Sequence, residues 1–182
     1  MQLLVQQLRT IVSAGQVDAR TIAAIETLVS DAYPRLQEEL LFKPNPRPGR
    51  YMCYQDPDFD FVIMALVWGP GDTTPIHDHG TWGVELVLQN QLRVTNYTQC
   101  EQNPEATETM LLQPGAVMHN LPPTRDVHKI EHATGDCAIS LHIYGKALTE
   151  NRSFVPGAGF QKSQLQCHPW PVAMAAGLTP SE

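Results

Sequence analysis

Residues 68–80 read "WGPGDTTPIHDHG". Glycines and prolines crowd around a His-x-His pair, His77 and His79. On a β-strand alternate residues face the same side, so both imidazoles can point into an interior while Asp78 points away. Two imidazoles at this spacing can share one metal ion. The pair alone is a weak pattern, and its weight depends on what lies around it.

Around it the chain is broken into short β-rich pieces. From "KPNPRPGR" onward these are "FVIMALVW", "GVELVLQ", "LRVTNY", "ETMLLQ", "DVHKIE" and "CAISLHIY". Short strands at turn-punctuated intervals predict an antiparallel sandwich or barrel rather than βαβ units. Before them, residues 1–41 have helical periodicity. Leu4, Leu8, Ile11 and Val12 form one apolar stripe. Gly15 interrupts, and Asp18 is placed to cap a second helix with Ile22, Ile25, Leu28 and Val29 inward. Pro34 predicts the first turn of a third, short helix carrying Leu36 and Leu40. The last stretch, from residue 161 to residue 182, lacks periodicity and is expected to be a loose tail. The expected layout is one domain over 1–182, with helices over 1–41 and a barrel over 50–160.

Composition narrows the function classes. The 182 residues carry 12 Lys and Arg against 19 Asp and Glu, a formal charge of −7. An acidic chain with no basic run is a poor match to a phosphate backbone, so no nucleic-acid partner is expected. The apolar run "FVIMALVW" is too short to span a bilayer, and "MQLLVQQLRT" lacks the features of a secretory leader. Four cysteines, Cys53, Cys100, Cys137 and Cys167, show no paired spacing. That fits a reducing compartment. A cytoplasmic protein without a membrane partner is expected, as a monomer or weak homo-oligomer.

Gly71, His77 and His79 match G-x(5)-H-x-H, and here the sequence resembles the cupin superfamily. That likeness implies a mainly β fold, a double-stranded β-helix barrel of jelly-roll type, with the N-terminal helices packed outside. The superfamily's glutamate ligand would stand near position 84, which is Val84. Glu85 is adjacent, but a one-residue shift along a strand is expected to turn it to the opposite face. A three-histidine site would then remain, leaving a divalent metal its full charge and open positions.

The third histidine could be His119, His128, His132 or His142. In "SLHIY", Ser140, His142 and Tyr144 share one face while Leu141 and Ile143 share the other. A polar face beside an apolar one of this kind implies that the barrel interior is itself a polar site, with a hydrogen-bonded relay orienting Tyr144.

Taken together, H-x-H, a distant H-[KR]-[IV]-E and a following S-x-H-x-Y resemble the thiol dioxygenase family (cysteine and 3-mercaptopropionate dioxygenases) over about residues 50–145. The resemblance implies Fe(II) held by His77, His79 and His128, and a relay of Ser140, His142 and Tyr144. It implies that a small thiol and O2 are the partners and that L-cysteine gives its sulfinate. Arg50 lies where cysteine-type enzymes carry an arginine for the substrate carboxylate. Arg152 and Trp82 are closer to the mercaptopropionate branch, and two arginines could hold a mercaptosuccinate-like dicarboxylate. Animal enzymes have a cysteine crosslinked to the tyrosine where Val84 stands, so Tyr144 is expected to be a free phenol. Competing classes are a cupin with a non-iron metal site and a non-catalytic binding module.

Overall fold

A computed structural model describes residues 1–41 and 47–170. In chain order come helices α1 (Gln2–Val12) and α2 (Ala19–Leu40), then β1 (Gly49–Gln55), β2 (Val62–Trp68), β3 (His77–Asp78), β4 (Gly83–Tyr97) and β5 (Ala106–Leu112). They are followed by β6 (Val117–Asn120), β7 (His128–Tyr144), β8 (Glu150–Val155), β9 (Gly159–Gln164) and β10 (His168–Pro169). The strands form one curled sheet in the order β10-β1-β2-β7-β3-β8-β9, and β4 joins β5, β6 and β7. The architecture is the mainly β, largely antiparallel barrel that the sequence pattern predicted.

The helices follow the predicted stripes with one change. Leu4 and Leu8 of α1 are buried, and the Asp18 side chain accepts from the Thr21 N–H at 2.9 Å as the N-cap of α2. The third helix expected at Pro34 does not exist separately, because α2 runs straight through Pro34. Proline removes only the bond to the carbonyl one turn back. The stripe of Val29, Ala32, Leu36 and Leu40 stays in phase across it, so packing outweighs that lost bond.

Strand β2, the start of β4 and the end of β7 are buried on both faces. In β2, Ile63, Ala65 and Val67 pack with the helices, while Val62, Met64, Leu66 and Trp68 fill the barrel interior. The same alternation sends Leu141 and Ile143 outward under the helices and Tyr144 inward. That double burial explains why "SLHIY" has one polar and one apolar face, neither of them wet.

The longest pairing shapes the barrel. β4 and β7 pair from Gly83↔Tyr144 to Asn96↔His128. A straight strand of that length would reach roughly 55 Å. Instead the ribbon bends double at Asn90 and Gly135, both with positive φ (57° and 84°), amid three register shifts in β4. The Asn90 and Gln89 side chains each donate to the Cys137 carbonyl, at 2.6 and 2.9 Å, and fasten the bend.

The C-terminal stretch is not a loose tail as far as it is described. β9 pairs with β8, β10 pairs in parallel with β1, and Trp170 is fully buried against Tyr51. Short polar strands carry little hydrophobic period, so their pairing was not legible in the sequence. Residues 171–182 of the expected tail lie outside the described residues.

Leu36→Ala is expected to destabilise the protein by about 2–5 kcal/mol in chemical denaturation, because Leu36 is sealed between α2 and the sheet. Leu3→Ala, at a half-exposed site on α1, is expected to change stability by less than about 0.5 kcal/mol.

Candidate metal centre

Strand β3 is only two residues long, yet it is clamped on both sides. His77 pairs with His128 of β7 and with Ser153 of β8, and Asp78 pairs with Arg152. This brings the His77 and His128 ring centroids to 4.6 Å, and the His79 ring to 4.8 and 5.0 Å from them. The ligand atoms of His77, His79 and His128 all lie within 4.8 Å of one another, and all three residues are buried. They are the metal-competent cluster among the described residues.

Each imidazole is held by its Nδ1. His77 Nδ1 faces the Pro75 carbonyl at 3.0 Å, and His128 Nδ1 faces the Asp126 carbonyl at 3.0 Å. His79 Nδ1 lies 3.3 Å from the Asp126 carboxylate, which also accepts the His79 and Gly80 N–H groups. Tethering Nδ1 to an acceptor leaves the other ring nitrogen as a lone-pair donor. His128 Nε2 is sealed from solvent and has no hydrogen-bond partner. A buried orphan of this kind is costly without a partner, and a cation among the three lone pairs would supply one. The residues therefore fit a metal. Three neutral imidazoles suit zinc, copper, iron or nickel.

Burial, and then the neighbouring imidazoles, push His77 well below its ordinary value. Burial pushes His128 down to about 4. Burial also raises Asp126, but the hydrogen bonds from His79 and Gly80 outweigh it and hold the carboxyl below its usual range.

The relay forms as its alternation implied. Ser140 Oγ lies 2.7 Å from His142 Nε2, and His142 Nδ1 lies 2.9 Å from the Tyr144 hydroxyl. The Trp68 indole N–H donates to Ser140 Oγ at 2.9 Å. The Tyr144 ring stands 4.8 Å from the His79 ring, so the relay ends at the histidine cluster. Burial and the Glu85 charge push the Tyr144 phenol well above its usual value, so it stays protonated.

Glu85 corrects the sequence reading. It was expected to face away from the site, yet it is buried inside, 3.9 Å from His128 Nε2 and 3.4 Å from both His142 Nδ1 and the Tyr144 hydroxyl. Cross-strand partners share a face, and β4 pairs Gly83 with Tyr144, Val84 with Ile143 and Glu85 with His142. The non-strand segment 79–82, with Gly80 at φ 60°, resets the phase between β3 and β4. Counting onward from His79 therefore assigned the wrong face. Burial raises the Glu85 carboxyl, but the surrounding imidazoles, His142 first, outweigh it and hold it well below the carboxylate range. The site is thus not free of carboxylates. Asn120 Nδ2 adds a 3.3 Å contact to Glu85.

Val84 belongs to the outer core, turned from Tyr144. Gly83 is the residue against the phenol ring, and a Cβ there would come within 2.8 Å of it. The position that addresses the tyrosine is therefore 83, not 84.

The remaining candidates separate clearly. Arg50 lines the cavity with His77, His79, His142 and Tyr144, and makes no ion pair among the described residues. Arg152 does not line it. Its Nε donates to Asp78 Oδ2 at 2.9 Å and its Nη1 to Glu101 at 2.9 Å. Trp82 also lies outside the cavity, packed on the outer core beside Gly145. His119 pairs with Glu26 of α2 at 2.8 Å, on the helix side of the sheet. His132 stands outside the metal cluster, with its backbone N–H on the Asp72 carbonyl.

The profile of the family described as cysteine dioxygenase type I matches residues 1–155. The chain belongs to that family. Three solved structures are similar to it at low identity. An oxalate oxidase in complex with glycolate is 14% identical, covering 56% of this chain and 53% of its own, with a TM-score of 0.44. An RmlC-like cupin family protein with a double-stranded β-helix fold from Methanocaldococcus jannaschii is 12% identical, covering 57% and 84%, with a TM-score of 0.45. A cupin superfamily protein from Desulfitobacterium hafniense is 15% identical, covering 54% and 76%, with a TM-score of 0.41. The chain spans about half the length of the oxalate oxidase chain. No helix among the described residues is long and apolar enough to cross a membrane.

His128 supports a pH prediction for the metal-free protein. Its folded value is about 4 against an ordinary 6.5. Between those values the unfolded chain takes up a proton that the folded one refuses. Stability is therefore expected to be full above about pH 6.5 and to fall as the pH drops toward 4, by on the order of 3 kcal/mol from this group. Thermal melts of metal-free protein across that window measure it.

Proposed function

We propose that the chain is a non-haem Fe(II) thiol dioxygenase that converts a small thiol carboxylate and O2 to the sulfinate, with L-cysteine favoured. One observation carries this reading. One cavity is lined by His77 and His79 of the three-histidine cluster, by His142 and Tyr144 at the end of the relay, and by Arg50, which is uncommitted among the described residues.

His77, His79 and His128 would hold the iron through their free ring nitrogens. When bound, the ion supplies acidification of the thiol and reductive activation of O2. Arg50 presents a planar fork that pairs with a carboxylate through two parallel hydrogen bonds, and no protein carboxylate competes for it among the described residues. The walls beside it are apolar, with Met64, Leu66 and Leu148, so the bound thiol is shielded from water. Tyr144, kept protonated and oriented by His142, is a hydrogen-bond donor at the metal side of the cavity.

The reaction balances without a further reductant. The S–H proton is lost, both oxygen atoms bond to sulfur, and sulfur gives up the four electrons that reduce O2. The commitment of Arg152 to Asp78 and Glu101 supports a substrate with one carboxylate rather than two.

Oxygen uptake by protein loaded anaerobically with Fe(II) tests this with L-cysteine, 3-mercaptopropionate, mercaptosuccinate and cysteamine. A thiol carboxylate is expected to be turned over far faster than cysteamine, with the sulfinate as product. Iron binding without thiol-dependent uptake would favour a non-catalytic or different metal-binding cupin.

Three variants probe the parts. His128→Ala is expected to lose iron on dialysis, read by metal analysis. Tyr144→Phe is expected to keep the iron and lower kcat. Arg50→Ala is expected to raise KM for a thiol carboxylate by roughly tenfold to a hundredfold, as loss of a charged hydrogen bond implies, while leaving the iron in place.

A further inference from the structure

One polar side chain on the cavity wall has no assigned task. Asn151 of β8 lines the same cavity as Arg50, His77 and Tyr144, and is only 8% exposed. Its Oδ1 is sealed from solvent and has no hydrogen-bond partner. Two donors on the same wall are engaged elsewhere, the Trp68 indole with Ser140 and the Thr74 hydroxyl with Ile130. A sealed acceptor without a donor weakens a fold rather than supporting it, so a ligand is the natural source of the missing hydrogen.

The backbone holds Asn151 in place. It pairs with Ser163 of β9, and its neighbour Arg152 ties β8 to Asp78 of β3. Successive residues on a strand face opposite ways, so Arg152 reaching outward to Asp78 and Glu101 sets Asn151 inward. The carboxamide is thus fixed to the strand that clamps His77.

We propose that Asn151 determines specificity, its Oδ1 accepting a hydrogen bond from the amino N–H of an α-amino thiol carboxylate while Arg50 holds the carboxylate. This rests on the thiol dioxygenase reading and deepens it by selecting a class of thiol. A cysteine-type ligand offers an N–H to Oδ1. 3-Mercaptopropionate presents only C–H at that carbon and leaves the acceptor unsatisfied. A site built to hydrogen-bond a polar group discriminates strongly against an analogue that lacks it.

Anaerobic titration calorimetry of Fe(II)-loaded protein with L-cysteine and with 3-mercaptopropionate tests this, beside thermal melts and a separate oxygen-uptake assay. Asn151→Leu keeps the approximate volume and removes the acceptor. It is expected to weaken L-cysteine tenfold or more relative to 3-mercaptopropionate, with the melting temperature unchanged or raised. Asn151→Asp keeps an acceptor oxygen and is expected to retain the preference for L-cysteine. Equal weakening of both ligands, an unchanged ratio, or a lowered melting temperature with the ratio unmoved would overturn the assignment. The two readings fail separately. A shifted binding ratio without oxygen uptake by any thiol would remove the dioxygenase reading and leave Asn151 as an amine-reading residue. Oxygen uptake with an unshifted ratio would do the reverse.

Discussion

The fold-back of the β4–β7 ribbon is the constraint on which the rest depends. His128 opens β7 and Tyr144 closes it. As a straight strand their side chains would lie tens of ångströms apart. Because the ribbon doubles over at Asn90 and Gly135, His79 stands 5.0 Å from the His128 ring and 4.8 Å from the Tyr144 ring. One strand thus supplies both a metal-facing imidazole and the relay that reaches it. Without the bend the same residues would make an ordinary two-stranded ladder.

Around that bend the barrel separates two chemistries by strand parity. Residues on the helix side of the sheet form a continuous apolar core with α1 and α2. Residues on the inner side mix apolar walls with imidazole, phenol and carboxylate groups. Hydrogen bonds make the polar half tolerable. Asp126 alone holds His79, Gly80 and, through its carbonyl, His128. A buried carboxylate so fully occupied stays ionised and keeps the ring it touches in one orientation.

Features with a local period were legible in the sequence. His77 and His79, two apart, and Ser140, His142 and Tyr144, each two apart, predict shared faces, and the structure has them. The helical stripes of Leu4, Leu8 and Ile22 through Leu40 were equally readable, and only the run through Pro34 was missed. Features set by phase across a turn were not readable. Glu85 lies beyond residues 79–82, where strand counting restarts. Arg152 drew attention by its charge, although its inward neighbour Asn151 lines the cavity. Asp126 gave one local signal, its place two residues before His128, but its carboxylate contact with His79 spans 47 residues. Trp170 was hidden because β10 has too few residues to show a pattern.

The two ends of the relay are each limited to one role. An indole nitrogen can only donate, so the bond to Ser140 Oγ uses the Trp68 hydrogen. An ionised carboxylate can only accept, so the contact between Glu85 and the Tyr144 hydroxyl uses the phenol hydrogen. The Tyr144 oxygen is then left to accept from His142 Nδ1. Ser140 Oγ has a second lone pair besides its own hydrogen, so it can meet His142 Nε2 as donor or as acceptor. The indole at one end therefore leaves the histidine's hydrogen unset, and the carboxylate at the other end sets it, by turning the phenol hydrogen toward itself and the cavity.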